Sequence, residues 1–449
     1  MNVLHRGDRA VACAALPRPR PNRPGYPGAP RRKGPSAPDF SRRSEPPRES
    51  SGPDNSMPDG RPQCQHFGIC GGCTHLDMAI QEQLDDKLHD VTLLLQPFLG
   101  AHRIVTELPR RTPVHFRTKL LYPVRSDGKG RCSLGIYKPM SHDVVRIKEC
   151  RTQDEGLTEL GLRAETILRQ MELEAWDETT QKGFVQAFGA RSMPGTGELL
   201  IGVVTRKGVF PKAKQLADRL MEAAQGLPRS GRTHLHPVGV VRSINERTGN
   251  YLLGDKNVPL LGRDYQMDKV DGLDFRVRFG SFYQVHRDSH SLLYRPTMEL
   301  CGDVTGQRVV DGYGGVGTFG LRLAKAGAKR VEIVEANPVA CGDAEQNAKQ
   351  NGFADRVVVE QLPFAQAKFA AEPDLLLVDP PRSGLQADGV ARVLAAKPKR
   401  LVMVHCSAES LARDLEGLGA GGWKVQSMRL CDMFPHTAHV EMVTKMVRG

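Results

Sequence analysis

Apolar residues recur three and four apart between residues 79 and 99. Leu84, Leu88, Val91 and Leu95 fall on one face, which predicts an amphipathic helix. Beyond it the period changes. Short runs at 116–124, 134–137 and 144–147 read as strands, with Gly128 and Gly130 in the turn between the first two. Residues 199–205 and 238–243 read as further strands and 212–224 as a helix. Arg117, Lys119 and Lys138 alternate with apolar residues, as on a solvated sheet face; an RNA-facing surface is the sharper reading. From about residue 281 strands alternate with helices: strand 308–311, helix 318–325, strands 330–334, 375–378 and 401–404, and helix 411–418. That alternation is the signature of a parallel, doubly wound sheet. The expected fold class is α/β, with a Rossmann-like domain over 281–449 after a mixed α/β domain over 63–280.

Residues 1–62 follow neither period. They hold 13 of the 31 prolines, and through Arg61 they carry 12 Lys and Arg against 6 Asp and Glu. Half of the net charge of +12 therefore sits in a segment that cannot build a core, so a disordered Pro/Arg-rich tail is expected. A solvated tail and a loose RNA-binding arm both fit it. The apolar stretch 10–16 runs into Pro-Arg repeats without a cleavage context and is not read as a signal sequence. Met57 is an alternative start. No apolar run approaches the ~18 residues of a membrane helix. The overall basicity suggests a polyanionic partner. A monomeric cytoplasmic protein is expected.

The cysteines are unevenly spaced. Cys64, Cys70 and Cys73 form a C-x5-C-x2-C triple, and Cys132 and Cys150 are the nearest downstream thiols. An iron–sulfur cluster, a zinc site and unrelated buried thiols are the competing readings. Asp311 ends a strand and leads into Gly312-Tyr313-Gly314-Gly315-Val316-Gly317, a loop that lets a ligand approach a helix N-terminus. Glu335 follows 24 residues after Asp311, where an acid can accept ribose hydroxyls. On spacing alone the ligand is NAD or S-adenosylmethionine. Three later features add chemistry: Asp379-Pro380-Pro381-Arg382 and Cys406 at strand ends, and Asp432-Met433-Phe434-Pro435-His436-Thr437 before a strand bearing Glu441.

The set resembles the RNA uracil-5-methyltransferase family, over about 64–441. Ser281-Phe282-Tyr283-Gln284-Val285 is similar to the family's S-F-x-Q-x-N element. Residues 311–318 are similar to its D-L-Y-C-G-x-G loop, and Asp379-Pro-Pro-Arg, the segment from Cys406 and the segment 432–441 to its remaining motifs. This chain has His286 where Asn is usual, Gly312 and Gly314 where Leu and Cys are usual, and Ser407-Ala408 where Asn-Pro is usual. The resemblance implies a class I S-adenosylmethionine-dependent methyltransferase domain and an N-terminal domain with a 4Fe-4S cluster on Cys64, Cys70, Cys73 and Cys150. It implies cofactor contacts from Gln284, Tyr313, Gly315, Gly317, Thr318, Glu335 and Asp379. It also implies Cys406 as nucleophile and Glu441 as base.

The implied chemistry explains the residue types. Uracil C5 is a poor nucleophile until a thiolate adds to C6. A base must then remove the C5 proton so that the thiol can leave. The RNA expected is 23S rRNA, because the cysteine set resembles the rRNA enzymes and no β-barrel module precedes Cys64. A tRNA target and a noncatalytic RNA-binding protein on the same fold are the alternatives.

Overall fold

The computed structural model describes residues 63–449 except 109–112, 129, 229–232, 248 and 250. The tail expected to be disordered, 1–62, lies outside the described residues.

Seven runs between Arg308 and Arg448, the central ones apolar on both faces, join Ile104–Glu107 in an eight-stranded sheet. In spatial order its strands are Ile104–Glu107, Trp423–Cys431, Glu441–Arg448, Arg400–His405, Leu375–Val378, Arg308–Gly312, Arg330–Glu335 and Val357–Gln361. All run parallel except Glu441–Arg448, which is antiparallel to both neighbours. Helices cover both faces, as a parallel sheet requires. Their starts are written locally: Asn337 accepts from the amides of Val339 and Ala340 at 2.9 and 3.2 Å and Pro338 opens the helix Pro338–Gln350.

The second sheet has seven strands in the order Val144–Arg146, Cys132–Tyr137, Lys119–Ser126, Val185–Ser192, Glu198–Thr205, His236–Ile244 and Lys256–Gly262. Helices Glu155–Gln170 and Ala213–Ala223 bury Leu157, Leu160, Leu216 and Leu220 in its core. Asp154 caps the first of them, accepting from the Leu157 amide at 3.1 Å, and its other carboxylate oxygen receives Arg287 at 3.1 Å.

The two cores do not divide at residue 280. Helix Ile80–Leu99 turns Val91, Leu95 and Leu99 into the core of the C-terminal sheet, and the strand Ile104–Glu107 extends that sheet beside Met428–Cys431. The hairpin Tyr265–Val270 with Leu273–Arg278 likewise puts Leu273, Phe275 and Val277 into the core of the other face. Two segments of the expected first domain therefore pack as parts of the second.

Candidate active site

Cys406 follows the last residue of the strand Arg400–His405. In the antiparallel register His405, the residue before Cys406, stands opposite Met442, the residue after Glu441. Glu441 is 1% exposed and pairs across its other side with Cys431. Both line one cavity of about 170 Å³, shared with Gln284, Arg382, Phe434, His439, Lys119 and Cys150. Arg117 also lines it, whereas Lys138 sits at the surface near Asp143.

Directly after Cys406, Ser407 caps the 13-residue helix Ala408–Ala420, accepting from the Ser410 amide at 3.3 Å. Serine and asparagine are comparable caps, and the next position is where proline is favoured, so Ser407-Ala408 fills the geometry of Asn-Pro. His405 Nε2 lies 2.8 Å from Asp414 Oδ2, and that oxygen also accepts the Leu385 amide at 2.7 Å. The strand Arg400–His405, the helix Ala408–Ala420 and the Asp379–Leu385 loop are thus tied at one buried carboxylate. Arg382 Nη2 reaches His439 Nδ1 at 3.2 Å, linking that loop to the 432–441 segment.

Sequence reasoning missed what holds the 432–441 segment. Lys87 donates to Asp432 Oδ1 at 2.7 Å and to the Phe434 carbonyl at 3.0 Å, inside the protein. Gln83 accepts from the His436 amide at 2.8 Å, and His436 Nε2 lies 3.0 Å from the Pro113 carbonyl. His436 adopts φ +64° and burial pushes its ring pKa down to about 4. Its carbonyl accepts the amides of Thr74 and His75 at 2.9 and 3.0 Å, so the Cys-rich segment abuts the same loop. Gln83 and Lys87 read in the sequence as ordinary polar helix residues.

The Ser281–Val285 element is pinned from one side. Arg191 donates to the Ser281 carbonyl at 2.7 Å, the Ser281 hydroxyl to Asp343 at 3.0 Å, and the Tyr283 hydroxyl to Asp268 at 2.9 Å. Phe282 and Gln284 are left to line the cavity. His286 is buried and stacked on Phe116 at 4.6 Å, and its Nδ1 accepts the Asp288 amide at 3.0 Å, an acceptor role that Asn also fills. Burial holds its pKa down at about 3, so the ring is neutral.

The other expected cofactor contacts gather at the carboxyl ends of neighbouring strands rather than in that cavity. Tyr313 has φ +62°, and Gly315 and Gly317 have φ +59° and +87°. At Gly314 a Cβ would sit 2.4 Å from Ile333 Cγ2, which leaves no room for the usual cysteine. Glu335 accepts the amides of Gly315 and Asn337 at 2.8 Å each, one on each oxygen. Each oxygen keeps a second lone-pair site for a ribose hydroxyl. Asp379 is buried at the end of Leu375–Val378, and Thr318 is half-buried in the turn before helix Gly320–Lys325. These residues fit an adenosyl ligand at the strand edge.

Cys64, Cys70, Cys73 and Cys150 lie near enough to act on one another electrostatically. Burial raises the thiol pKa of Cys64, Cys70 and Cys73, and the charge of neighbouring thiols, Cys150 among them for each, raises it further. Backbone amides of His66 and Phe67 act on Cys64 in the opposite sense, and that of Gly72 on Cys70. Among the described residues no three or more His, Cys, Asp or Glu side chains are drawn up as a metal site. Cys132 lies elsewhere: it donates to the Leu173 carbonyl at 2.9 Å, and burial pushes its pKa up to about 12.

Comparison with known proteins decides the family. The profile described as tRNA (Uracil-5-)-methyltransferase matches residues 261–448. An uncharacterised RNA methyltransferase of Halalkalibacterium halodurans is 32% identical over 85% of this chain and 82% of its own length. The chain belongs to the RNA uracil-5-methyltransferase family. A second uncharacterised RNA methyltransferase, from Caldanaerobacter subterraneus, is 31% identical over 85% of this chain and 83% of its own. The Pyrococcus abyssi tRNA (uracil-54, C5)-methyltransferase, solved with S-adenosyl-L-homocysteine, shares the fold: TM-score 0.68 and 24% identity, over 86% of this chain and 87% of that one. This RNA methyltransferase therefore has a mixed α/β fold similar to that of class I methyltransferases. Among the described residues no helix is long and apolar enough to cross a membrane.

Proposed function

We propose that this methyltransferase makes 5-methyluridine in 23S rRNA through a covalent bond between Cys406 and uracil C6. The observation that carries the reading is that Cys406 and Glu441, each next to a residue of the His405–Met442 pair on adjacent strands, line one cavity. S-adenosylmethionine, when bound, supplies an electrophilic methyl group on a sulfonium. The Cys406 thiolate forms the Sγ–C6 bond, and the ring electrons move to C5, which can then accept the methyl group. The Glu441 carboxylate takes the C5 proton. The electron pair left behind restores the C5–C6 double bond, the Sγ–C6 bond breaks, and the thiolate is regenerated. Gln284, Tyr313, Gly315, Gly317, Thr318, Glu335 and Asp379 hold the donor. To reach the cavity the uridine must leave its stack.

We assign a 4Fe-4S cluster to Cys64, Cys70, Cys73 and Cys150. The mutual electrostatic reach of these thiols and the amides around Cys64 and Cys70 support the assignment. The cluster, when bound, supplies a cross-link; the methyl transfer needs no redox step. It would brace the segment whose Thr74 and His75 amides hold the His436 carbonyl.

A tRNA target is the second reading, because the matching family is described by tRNA and the Pyrococcus abyssi enzyme acts on tRNA uracil-54. Mapping 5-methyluridine in rRNA and tRNA of a strain lacking the gene separates the two. Loss from 23S rRNA alone is expected. Loss from tRNA alone overturns the rRNA assignment, and no loss from any RNA overturns the activity.

A further inference from the structure

A second cavity, also about 170 Å³, opens beside the catalytic one and is lined by Trp176, Gln186, Arg206, Arg247 and Tyr251. None of these residues takes part in the methyl transfer. Leu252 lines both cavities. Arg125, on the rim of the second, hydrogen-bonds the hydroxyl of Tyr137, which lines the first.

The chemistry of the second cavity is that of flat rings and anions. The Arg206 guanidinium sits 4.7 Å over the Trp176 ring, and that of Arg247 sits 5.2 Å over Tyr251. Arg206 is held by the carbonyls of Asn245 and Arg247 at 3.0 and 3.4 Å, which fixes its plane without neutralising its charge. Glu178, the acid on the lining, is paired with Arg125 at 2.7 Å. Gln186 is 6% exposed, yet its Oε1 is buried there without a hydrogen-bond partner. A buried acceptor left unmade is unfavourable by about 1–3 kcal/mol, so its presence on a cavity wall points to a ligand that donates to it.

We propose that this cavity is a second nucleotide subsite, which takes an unpaired base flanking the target uridine in the same RNA strand. The base of a nucleotide offers a π-face to the guanidinium planes and an exocyclic amine or ring N–H to Gln186 Oε1, and its phosphate can meet Arg206, since Arg247 is already paired with Asp255 through both carboxylate oxygens. The shared wall at Leu252 lets one strand reach both cavities. The inference rests on RNA being the substrate. It adds that recognition of the substrate extends to a neighbouring base.

The test uses the full chain and two labelled RNAs of about twelve residues, within the span of single-strand sites. Both carry one central uridine; in the second RNA the flanking residues are abasic. The wild-type protein should bind the abasic-flanked RNA about tenfold more weakly, since stacking and edge contacts of one base are of that order. Arg206→Lys keeps the charge and loses the plane; Gln186→Leu keeps the volume and loses the acceptor. Each should shrink the tenfold ratio to about two- to threefold while leaving the abasic-flanked RNA bound as before. With total RNA from a strain lacking the gene, Arg206→Lys should raise KM and leave kcat unchanged. A ratio near one in the wild type, or an unchanged ratio in both variants, overturns the subsite. A wild-type protein that methylates no RNA overturns the catalytic reading instead, and the binding ratio is read independently of it.

Discussion

Replacing Lys87 with Met cuts the anchor of the catalytic loop at its first residue. The Lys87 and Asp432 side chains are each 2% exposed and 2.7 Å apart, so a charge left behind is poorly screened. Removing one partner of such a pair strands the other, which destabilises by about 3–5 kcal/mol. The Phe434 carbonyl loses its donor in the same change. Adding Asp432→Leu removes the stranded carboxylate, so the double variant should recover most of the loss and retain a deficit of about 1–2 kcal/mol from the Phe434 carbonyl. The reporter is Trp423, 2% exposed in the core that helix Ile80–Leu99 completes. With Trp176 changed to Phe, its fluorescence follows urea unfolding of that core alone. Methyl transfer should fall with Lys87→Met, because the loop that begins at Asp432 ends at Glu441. A loss below about 1 kcal/mol with normal turnover would refute the claim that this ion pair holds the loop.

Further outcomes follow from the same geometry. Cys406→Ala should abolish methylation and covalent capture of 5-fluorouridine RNA, whereas Glu441→Gln should methylate and then accumulate a protein–RNA adduct; normal turnover of Glu441→Gln assigns the proton to another group. Protein purified without air should carry iron and sulfide that fall with Cys73→Ser and stay with Cys132→Ser; zinc in place of iron counts against the cluster. His286 and His436 are held neutral in the fold, with pKa values of about 3 and about 4 against an ordinary 6.5. The unfolded chain therefore binds more protons than the folded one as pH falls below 6.5, and stability is lost through that window: roughly 2 kcal/mol from each at pH 5. His286→Asn should remove its share of that slope, and an urea midpoint equal at pH 7.5 and 5 in the wild type argues against both.

What the sequence made legible follows a physical divide. Residues 375–378 and 401–404 are short, apolar and buried on both faces, so pattern alone finds them, and the observed strands Leu375–Val378 and Arg400–His405 match. The motif residues Cys406 and Glu441 line one cavity, each at or next to the end of a strand the pattern had located, whereas Gln284, in the same cavity, was legible only as a motif residue. The helix expected over 79–99 is present as Ile80–Leu99, but periodicity shows only that a face is apolar, not which core it enters. The partners Lys87–Asp432 and Gln83–His436 are separated by 345 and 353 residues and have no local signature. Helix Glu155–Gln170 was missed although Asp154 caps it; its glycines and mixed polar residues blur the apolar face. The hairpin Tyr265–Val270 with Leu273–Arg278 was missed because its alternating Asp, Lys and Arg mask the buried Phe275 and Val277.

Strand Ile104–Glu107 pairs with Met428–Cys431, the far end of the chain. On a ribosome these partners emerge some 320 residues apart, which at about 5–20 residues per second is a delay of roughly 16–64 s. Until the helix Ala408–Ala420 and the strand Trp423–Cys431 are made, the apolar stripe of Val91, Leu95 and Leu99 lacks the elements it packs on. The stripe is a surface for a chaperone to hold, and premature termination before residue 408 leaves it without its helix partner. The nascent chain cannot finish its first helix's packing until it has made its last strands, so a truncated product betrays itself by an uncovered N-terminal segment.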